Sequence, residues 1–308
     1  MLQSVLFGNG FNLLTNGTPS WEALLEDISK DPLDKRIPNT LKYEAIIARE
    51  PYRNSVKMTY KGKTITYNGK VITYSGEVVE SQLKKDIASR VKVFPTNDFY
   101  HRLAELPVSH YLTTNYDNTL SRSMGEEGFT PQNKSERLYS ILRQYSSRDN
   151  RFYWPIHGNE DSPASIMLGY DHYCGALSRI NRYVKGTDSV DGNRSDSMVN
   201  RLRNEKMEIQ SWIDMFFCSD LHIIGLGLAY EEIDLWWLLN KRKRIEQQYE
   251  GLIKNRIFYY PVEDVSNDKR QLFKDFDVVV IDLDSYDRSF PNMYYIQLDR
   301  IADYTKGH

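Results

Sequence analysis

The sequence predicts an α/β protein built on a mostly parallel sheet with helices on both faces. Three observations predict it. Short apolar or β-branched runs over 2–7, 108–113, 152–156, 221–224, 256–260 and 278–283 alternate with helical patterns, and that alternation makes a parallel sheet. Four of these runs end in small or polar residues: Gly8-Asn9-Gly10-Phe11-Asn12, Thr114-Asn115-Tyr116-Asp117, His157-Gly158 and Gly225-Leu226-Gly227. In an open α/β sheet such strand ends line the ligand crevice. The 308 residues, 40% of them hydrophobic, are enough for a large core with insertions. The expected fold is therefore Rossmann-like, with an inserted helical region carrying a β-hairpin.

The elements follow in order. The first strand, 2–7, runs into the glycine turn, and 11–14 opens a helix. Ser20 can cap a second helix with Trp21, Leu24, Leu25 and Ile28 on one face. Residues 41–50 read as helix. Asn68-Gly69, between Thr64–Tyr67 and Val71–Tyr74, supplies the positive φ angles of a two-residue hairpin turn. Residues 80–93 return to helix. The strand over 108–113 leads to the Asn115/Asp117 loop and a helix over 118–124. The strand over 152–156 ends at His157, and 165–168 reads as one more strand. The Gly-, Ser-, Asp- and Asn-rich stretch 186–197 reads as a mobile loop, 198–217 as mostly helix, and 231–249 as a helix carrying Trp236 and Trp237. Residues 1–30 and 108–308 would form the nucleotide-binding core, with a helical and loop insertion near 171–217. Residues 31–107 would form the inserted subdomain.

Composition limits the function classes. A net charge of -2 and a pI near 6.3 give no basic footprint, so direct nucleic-acid binding is not expected. Two cysteines, Cys174 and Cys218, cannot build a zinc ribbon or a disulfide framework. No apolar run reaches the roughly 18 residues that span a bilayer, and no signal peptide precedes the first strand. A cytoplasmic protein without a metal is expected, since HExxH, paired CxxC and acidic calcium-loop spacings are absent.

Each motif has a chemical and a plain reading. Gly8 and Gly10 let backbone approach a pyrophosphate at a helix N-terminus; they equally suit a tight turn that binds nothing. Asn115 offers donor and acceptor at a strand end, and Asp117 a fixed charge, although Asp117 also fits an Asx turn. His157, beside Gly158, is the best general base in the chain. Gly225 and Gly227 again permit close approach of a ligand. Glu231, Glu232 and Asp234 favour the dipole of the following helix. The run 241–244 reads as a solvated helix end.

Taken in order, these motifs resemble the sirtuin-like fold, specifically the bacterial sirtuin-like branch of anti-phage defence. The opening Gly-Asn-Gly-Phe-Asn is similar to the start of the abortive-infection H family. Gly17-x-Pro19-Ser20-Trp21 fits the segment after the sirtuin glycine loop. Thr114-Asn115-Tyr116-Asp117 resembles Gln-Asn-x-Asp, with Thr114 in place of Gln. His157-Gly158 matches the catalytic His-Gly pair. Gly225-Leu226-Gly227-Leu228 resembles Gly-Thr-Ser-Leu, with Gly227 in place of Ser. The resemblance covers roughly 1–21, 108–170 and 218–285.

It implies an NAD+ hydrolase that releases nicotinamide and ADP-ribose, an effector that depletes NAD during infection. Asn115, His157 and Asp117 would be catalytic. Gly8, Asn9, Gly10, Asn12, Thr114, Gly225, Gly227 and Asp234 would hold NAD+. The missing four-cysteine zinc module argues against protein deacylation. Control by homo-oligomerisation or by a separate sensor protein is expected. A non-catalytic sensor of NAD or ADP-ribose, and an ADP-ribosyltransferase, are the alternatives.

Overall fold

The computed structural model describes residues 1–29, 34–48, 59–60, 63–64, 66–67, 70–71, 76–132, 138–190, 193–204, 207–283 and 291–307. Its main sheet contains β1 (Leu2–Phe7), β2 (His110–Thr113), β3 (Thr130–Pro131), β4 (Tyr145–Ser146), β5 (Phe152–Pro155), β6 (Ser219–Ile224), β7 (Ile257–Tyr260) and β8 (Val278–Val280). They lie in the order β8-β7-β6-β1-β2-β5-β4-β3. The neighbours from β8 to β5 are parallel, while β4 runs antiparallel to β5 and β3 to β4. The chain leaves β1 for β2 on one side and later returns to β6 on the other. The switch point of the sheet is therefore the C-terminal end of β1.

Register sets the height of the loops. Phe7 pairs with both Ile224 and Thr113, Thr113 pairs with Pro155, and Ile224 pairs with Tyr260. Five strand ends thus stop in one row, and the loops after them leave side by side.

Period-2 alternation buries both faces, as parallel strands require. Leu6, Leu112, Trp154, Ile223 and Tyr259 enter one core layer; Val5, Phe7, Tyr111, Tyr153, Ile224 and Phe258 enter the other. The first layer is covered by α7 (Tyr170–Lys185), α9 (Met215–Cys218), α10 (Ile233–Gln248) and α11 (Asn267–Asp275), through residues such as Ile180, Phe216, Leu238 and Phe273. The second is covered by α1 (Gly10–Leu13), α5 (Asp98–Ala104) and α12 (Asn292–Gly307), through Phe11, Tyr100, Leu103, Tyr294 and Leu298. Each such large apolar side chain contributes about 1.5–3 kcal/mol on burial. A third cluster joins α2 (Trp21–Ser29), α3 (Asn39–Ala48) and α4 (Gly76–Val91) to Tyr116, Ile166 and Leu168 beyond the strand ends.

Local signals explain most boundaries. Ser20 Oγ accepts from Ala23 N at 3.1 Å and starts α2 where its cap predicts. The helix predicted over 118–124 is α6 (Thr119–Ser123). His172 Nδ1 accepts from the backbone N–H groups of Leu168 and Gly169 and so caps α7, which ends at Gly186 with φ +72°, the left-handed C-cap that favours glycine. The Asn68-Gly69 hairpin is flanked by Thr66–Tyr67 and Lys70–Val71 in antiparallel register, Tyr67 opposite Lys70. Residues 65, 68–69 and 72–74 of that expectation lie outside the described residues.

Four expectations are corrected. Residues 165–168 are not a strand: a 3₁₀ turn covers Pro163–Ser165, and one bond, Met167 N to His157 O at 2.8 Å, follows. Both edges of β5 are already paired, so no ladder was open to them. Residues 198–217 are not one continuous helix. Among the described ones, α8 (Met198–Leu202) and α9 flank an irregular stretch with a 3₁₀ turn over Trp212–Asp214. Ser211 and Asp214 form a capping box there, a helix start signal that breaks continuity. The loop over 186–197 folds back as an antiparallel pair, Ser189–Val190 with Asn193–Arg194, with 191–192 outside the described residues. The 241–244 run is only partly solvated: Arg242 is buried and donates to Asn255 O, while Lys243 pairs with Asp277 at 2.7 Å. No helix among the described residues is long and apolar enough to cross a membrane.

Candidate active site

The level row of strand ends brings the distant motifs together. Gly10 N donates to Gly225 O at 2.9 Å. A Cβ on Gly10 would sit 2.7 Å from that carbonyl oxygen and closer still to the Tyr294 hydroxyl; one on Gly8 would sit 2.7 Å from Leu226 Cδ1. Gly225 has φ +63°, and a Cβ there would strike the Phe11 ring. These three glycines let the β1 and β6 loops seat against each other. Gly227 is different, with its nearest neighbour, Glu263 Oε1, 3.6 Å from a would-be Cβ.

Over this seam lies a cavity of about 590 Å³, within the usual range for small-molecule sites. Asn9, Gly10, Thr114, Gly225 and Gly227 of the predicted set line it, together with Trp21 and Glu22 of α2. The sequence reading missed Glu232, Glu263, Tyr259 and Tyr294, which also line it. Glu263 follows a fifth strand end in the same row, so the rule that found the other four motifs would have found it.

The remaining predicted residues sit behind the cavity wall. Asn12 donates to Asn9 Oδ1 at 2.9 Å and to Asp117 Oδ2 at 2.8 Å, and accepts from the Tyr100 hydroxyl at 2.7 Å. The other oxygen of Asp117 accepts from Thr119 N at 3.0 Å. Both oxygens of Asp117 are thus engaged, in an Asx turn and in holding Asn12. That is the geometry of a positioning residue. Asn115 is fully buried; its backbone N–H bonds Thr113 Oγ1 at 3.0 Å, yet neither amide atom finds a partner among the described residues. The Tyr100 hydroxyl gives its proton to Asn12, so only its oxygen is left to face the Asn115 amide. A buried amide without partners costs about 1–3 kcal/mol, and such a cost marks a group kept for something that arrives later.

His157 is 2% exposed. Its Nε2 lies 2.8 Å from Asp234 Oδ2, its Nδ1 lies 3.7 Å from Glu232 Oε2, and its ring packs edge-on against Tyr173. Burial alone would lower the His157 pKa; the Asp234 charge and hydrogen bond, with Glu232, outweigh it and hold it above the ordinary value. Burial likewise pushes the Glu232 carboxyl up to about 7, although His157 opposes the shift. Asp234 was expected to hold the cofactor. It is fully buried, is absent from the cavity wall and sits against His157 Nε2. His157, Glu232 and Asp234 each bring a donor atom within 4.8 Å of the others. The two carboxylates address different ring nitrogens, however, whose lone pairs diverge, so the trio combines one hydrogen bond, to Asp234, with one longer contact, to Glu232, and has no common focus for an ion.

A crevice at the switch point of a parallel sheet, floored by glycines and backed by a buried Asn and a carboxylate-held His, defines a nucleotide-type site. Residues 109–281 match the SIR2-like domain family, more than half of the 308 residues, and the chain belongs to that family. SIR2-like domains are in general NAD-dependent enzymes, which accords with the crevice. No curated protein matches the chain.

Proposed function

We propose that this chain is an NAD+ hydrolase that cleaves the nicotinamide–ribose bond. The observation that carries the reading is the Asn115 amide, buried next in sequence to the cavity-lining Thr114 with no hydrogen-bond partner for its oxygen among the described residues. An arriving ribose hydroxyl or water would satisfy it. The pyrophosphate would lie over 8–12, against Asn9 and Gly10, with Thr114, Gly225 and Gly227 beneath the rest of the dinucleotide. Asp117 would hold Asn12 in place, and Asp234 would hold His157. The C1′–N bond breaks with its electron pair leaving on nicotinamide, which departs neutral. The oxocarbenium-like centre is stabilised by fixed dipoles and takes up water, whose proton passes to a base of the His157 group. NAD+ and water thereby give nicotinamide, ADP-ribose and a proton. In the cell such loss of NAD would serve an abortive-infection effector, controlled by self-assembly or by a sensor protein.

The test is chromatography of NAD incubated with the purified protein beside Asn115→Ala and His157→Ala. Wild type should yield nicotinamide and ADP-ribose, and both variants should lose at least a hundredfold, the order expected when a positioned acid–base group is removed (~10²–10⁴). Asn115→Ala should melt no lower than wild type, because it removes an unsatisfied buried amide. Turnover retained in both variants would sink the site assignment. A wild type that only binds NAD would leave a sensor in place of an enzyme.

A further inference from the structure

We propose that Glu232 is the group that takes the proton from the substrate, with His157 behind it receiving that proton against Asp234. The inference rests on the hydrolase reading and adds a catalytic residue to it. The cavity wall includes Glu232 and does not include His157 or Asp234. The Glu232 side chain keeps 20% of its surface exposed, whereas those of His157 and Asp234 keep 2% and 1%. Of the three, Glu232 is the one that reaches the cavity wall.

Counting protons on the ring supports the chain. Asp234 accepts from Nε2–H, which leaves Nδ1 facing Glu232 Oε2. A neutral ring offers a lone pair there. A single proton therefore suffices for the pair, on the carboxyl or on Nδ1. Glu232 Oε2 has no hydrogen-bond partner among the described residues. The other titratable groups facing this pair are Tyr116, Tyr173, Glu231 and, on the His157 side, Arg143. Glu22 and Glu263 share the cavity wall.

In the step itself the pair starts without its shared proton: ionised Glu232 takes a proton from a ribose hydroxyl or from the attacking water and passes it to the free Nδ1 lone pair of the neutral His157 ring. The imidazolium so formed lies between two carboxylates. The proton returns to solvent through the cavity once nicotinamide and ADP-ribose have left. Only the pair stripped of its shared proton can accept one; burial holds Glu232 near 7 and the carboxylates hold His157 above its ordinary value, so the rate should climb as pH rises through the neutral range.

The experiment measures NAD cleavage by wild type and by Glu232→Gln from pH 5 to 9, with NAD binding followed by calorimetry. Glu232→Gln should bind NAD within about threefold of wild type, lose a hundredfold or more in kcat (~10²–10⁴), and lack the rise near pH 7. A kcat within threefold of wild type with the same profile would overturn the proposal. So would a faster enzyme, which would mark Glu232 as an obstruction. No turnover by wild type would instead overturn the hydrolase reading. In that case ¹⁵N NMR of the His157 ring decides the shared proton: Glu232→Gln should lower its titration, and an unmoved Nδ1 resonance would reject the pairing.

Discussion

At Gly10 the space for a single methyl group is already taken by the loop it packs against. The Gly225 carbonyl oxygen lies 2.7 Å from where a Cβ would be, with the Tyr294 hydroxyl nearer still. Gly10→Ala must push the β1 and β6 loops apart and should lose about 1–3 kcal/mol, as overpacking does. Gly227→Ala meets nothing closer than 3.6 Å and should stay within about 0.5 kcal/mol of wild type. Urea titration of both variants checks this, and equal losses would refute it. The glycine spacing announces close approach in the sequence; that Gly10 approaches another loop as well as a ligand becomes visible only when Gly225 is folded against it. The histidine was readable in the same limited way. His157-Gly158 at a strand end marks a candidate base. The partners that tune it, Asp234 and Glu232, stand at the start of α10, where acidic residues already have a plain helix-dipole explanation.

Elements were readable where one local signal dominated and were lost where side chains answered a distant partner. β1, β2, β5 and β6 follow from apolar runs closed by small or polar residues, β7 from its apolar run alone, and α2 from its serine cap. The stretch over 198–217 reads as helix by composition, yet it is organised by one buried carboxylate. Asp214 accepts from both guanidinium nitrogens of Arg201 at 2.9 and 2.8 Å, from the Tyr183 hydroxyl, and from the N–H groups of Gln210 and Ser211. These bonds bind α7, α8 and α9 to one point. Asp214→Ala would leave the Arg201 guanidinium, with a side chain only 8% exposed, without its counter-charge. Breaking one side of a buried pair costs about 3–5 kcal/mol, so the variant should unfold at clearly lower urea; a shift below 1 kcal/mol would show that the hub does not hold these helices. The buried face of α7, His172, Tyr173, Ala176, Ile180, Tyr183 and Val184, and that of α12 do have helical spacing. Their abundant tyrosines and polar residues hid it, because hydrophobicity alone does not mark a tyrosine that is buried with a hydrogen-bond partner.

Across the whole molecule, function depends on five strand ends stopping in one row, a property of register that no single segment carries. The α/β class and the crevice at strand ends were legible because alternation and small terminal residues recur along the chain; the order β6-β1-β2 that makes β1 the switch point was not. The loops after β2 and β5 are joined by Glu160, which accepts from Asn118 N at 3.2 Å and from Arg122 at 2.8 Å, while its own N–H donates to Tyr116 O at 2.7 Å. Burial pushes its carboxyl from 4.5 up to about 7, against the pull of Arg122 and with help from Asp117. A carboxyl raised on folding favours the native state below the unfolded value, and that contribution is lost as pH rises through the folded one. Glutamine does not titrate. The stability of Glu160→Gln relative to wild type should therefore increase as pH rises from 4.5 to about 7, by up to about 1.4 kcal/mol per pH unit, and level off on either side. Paired urea titrations across that range measure the difference directly, in which groups common to both proteins cancel. A difference that stays constant with pH would mean that Glu160 is ionised in the folded protein and that Arg122, rather than burial, sets its state.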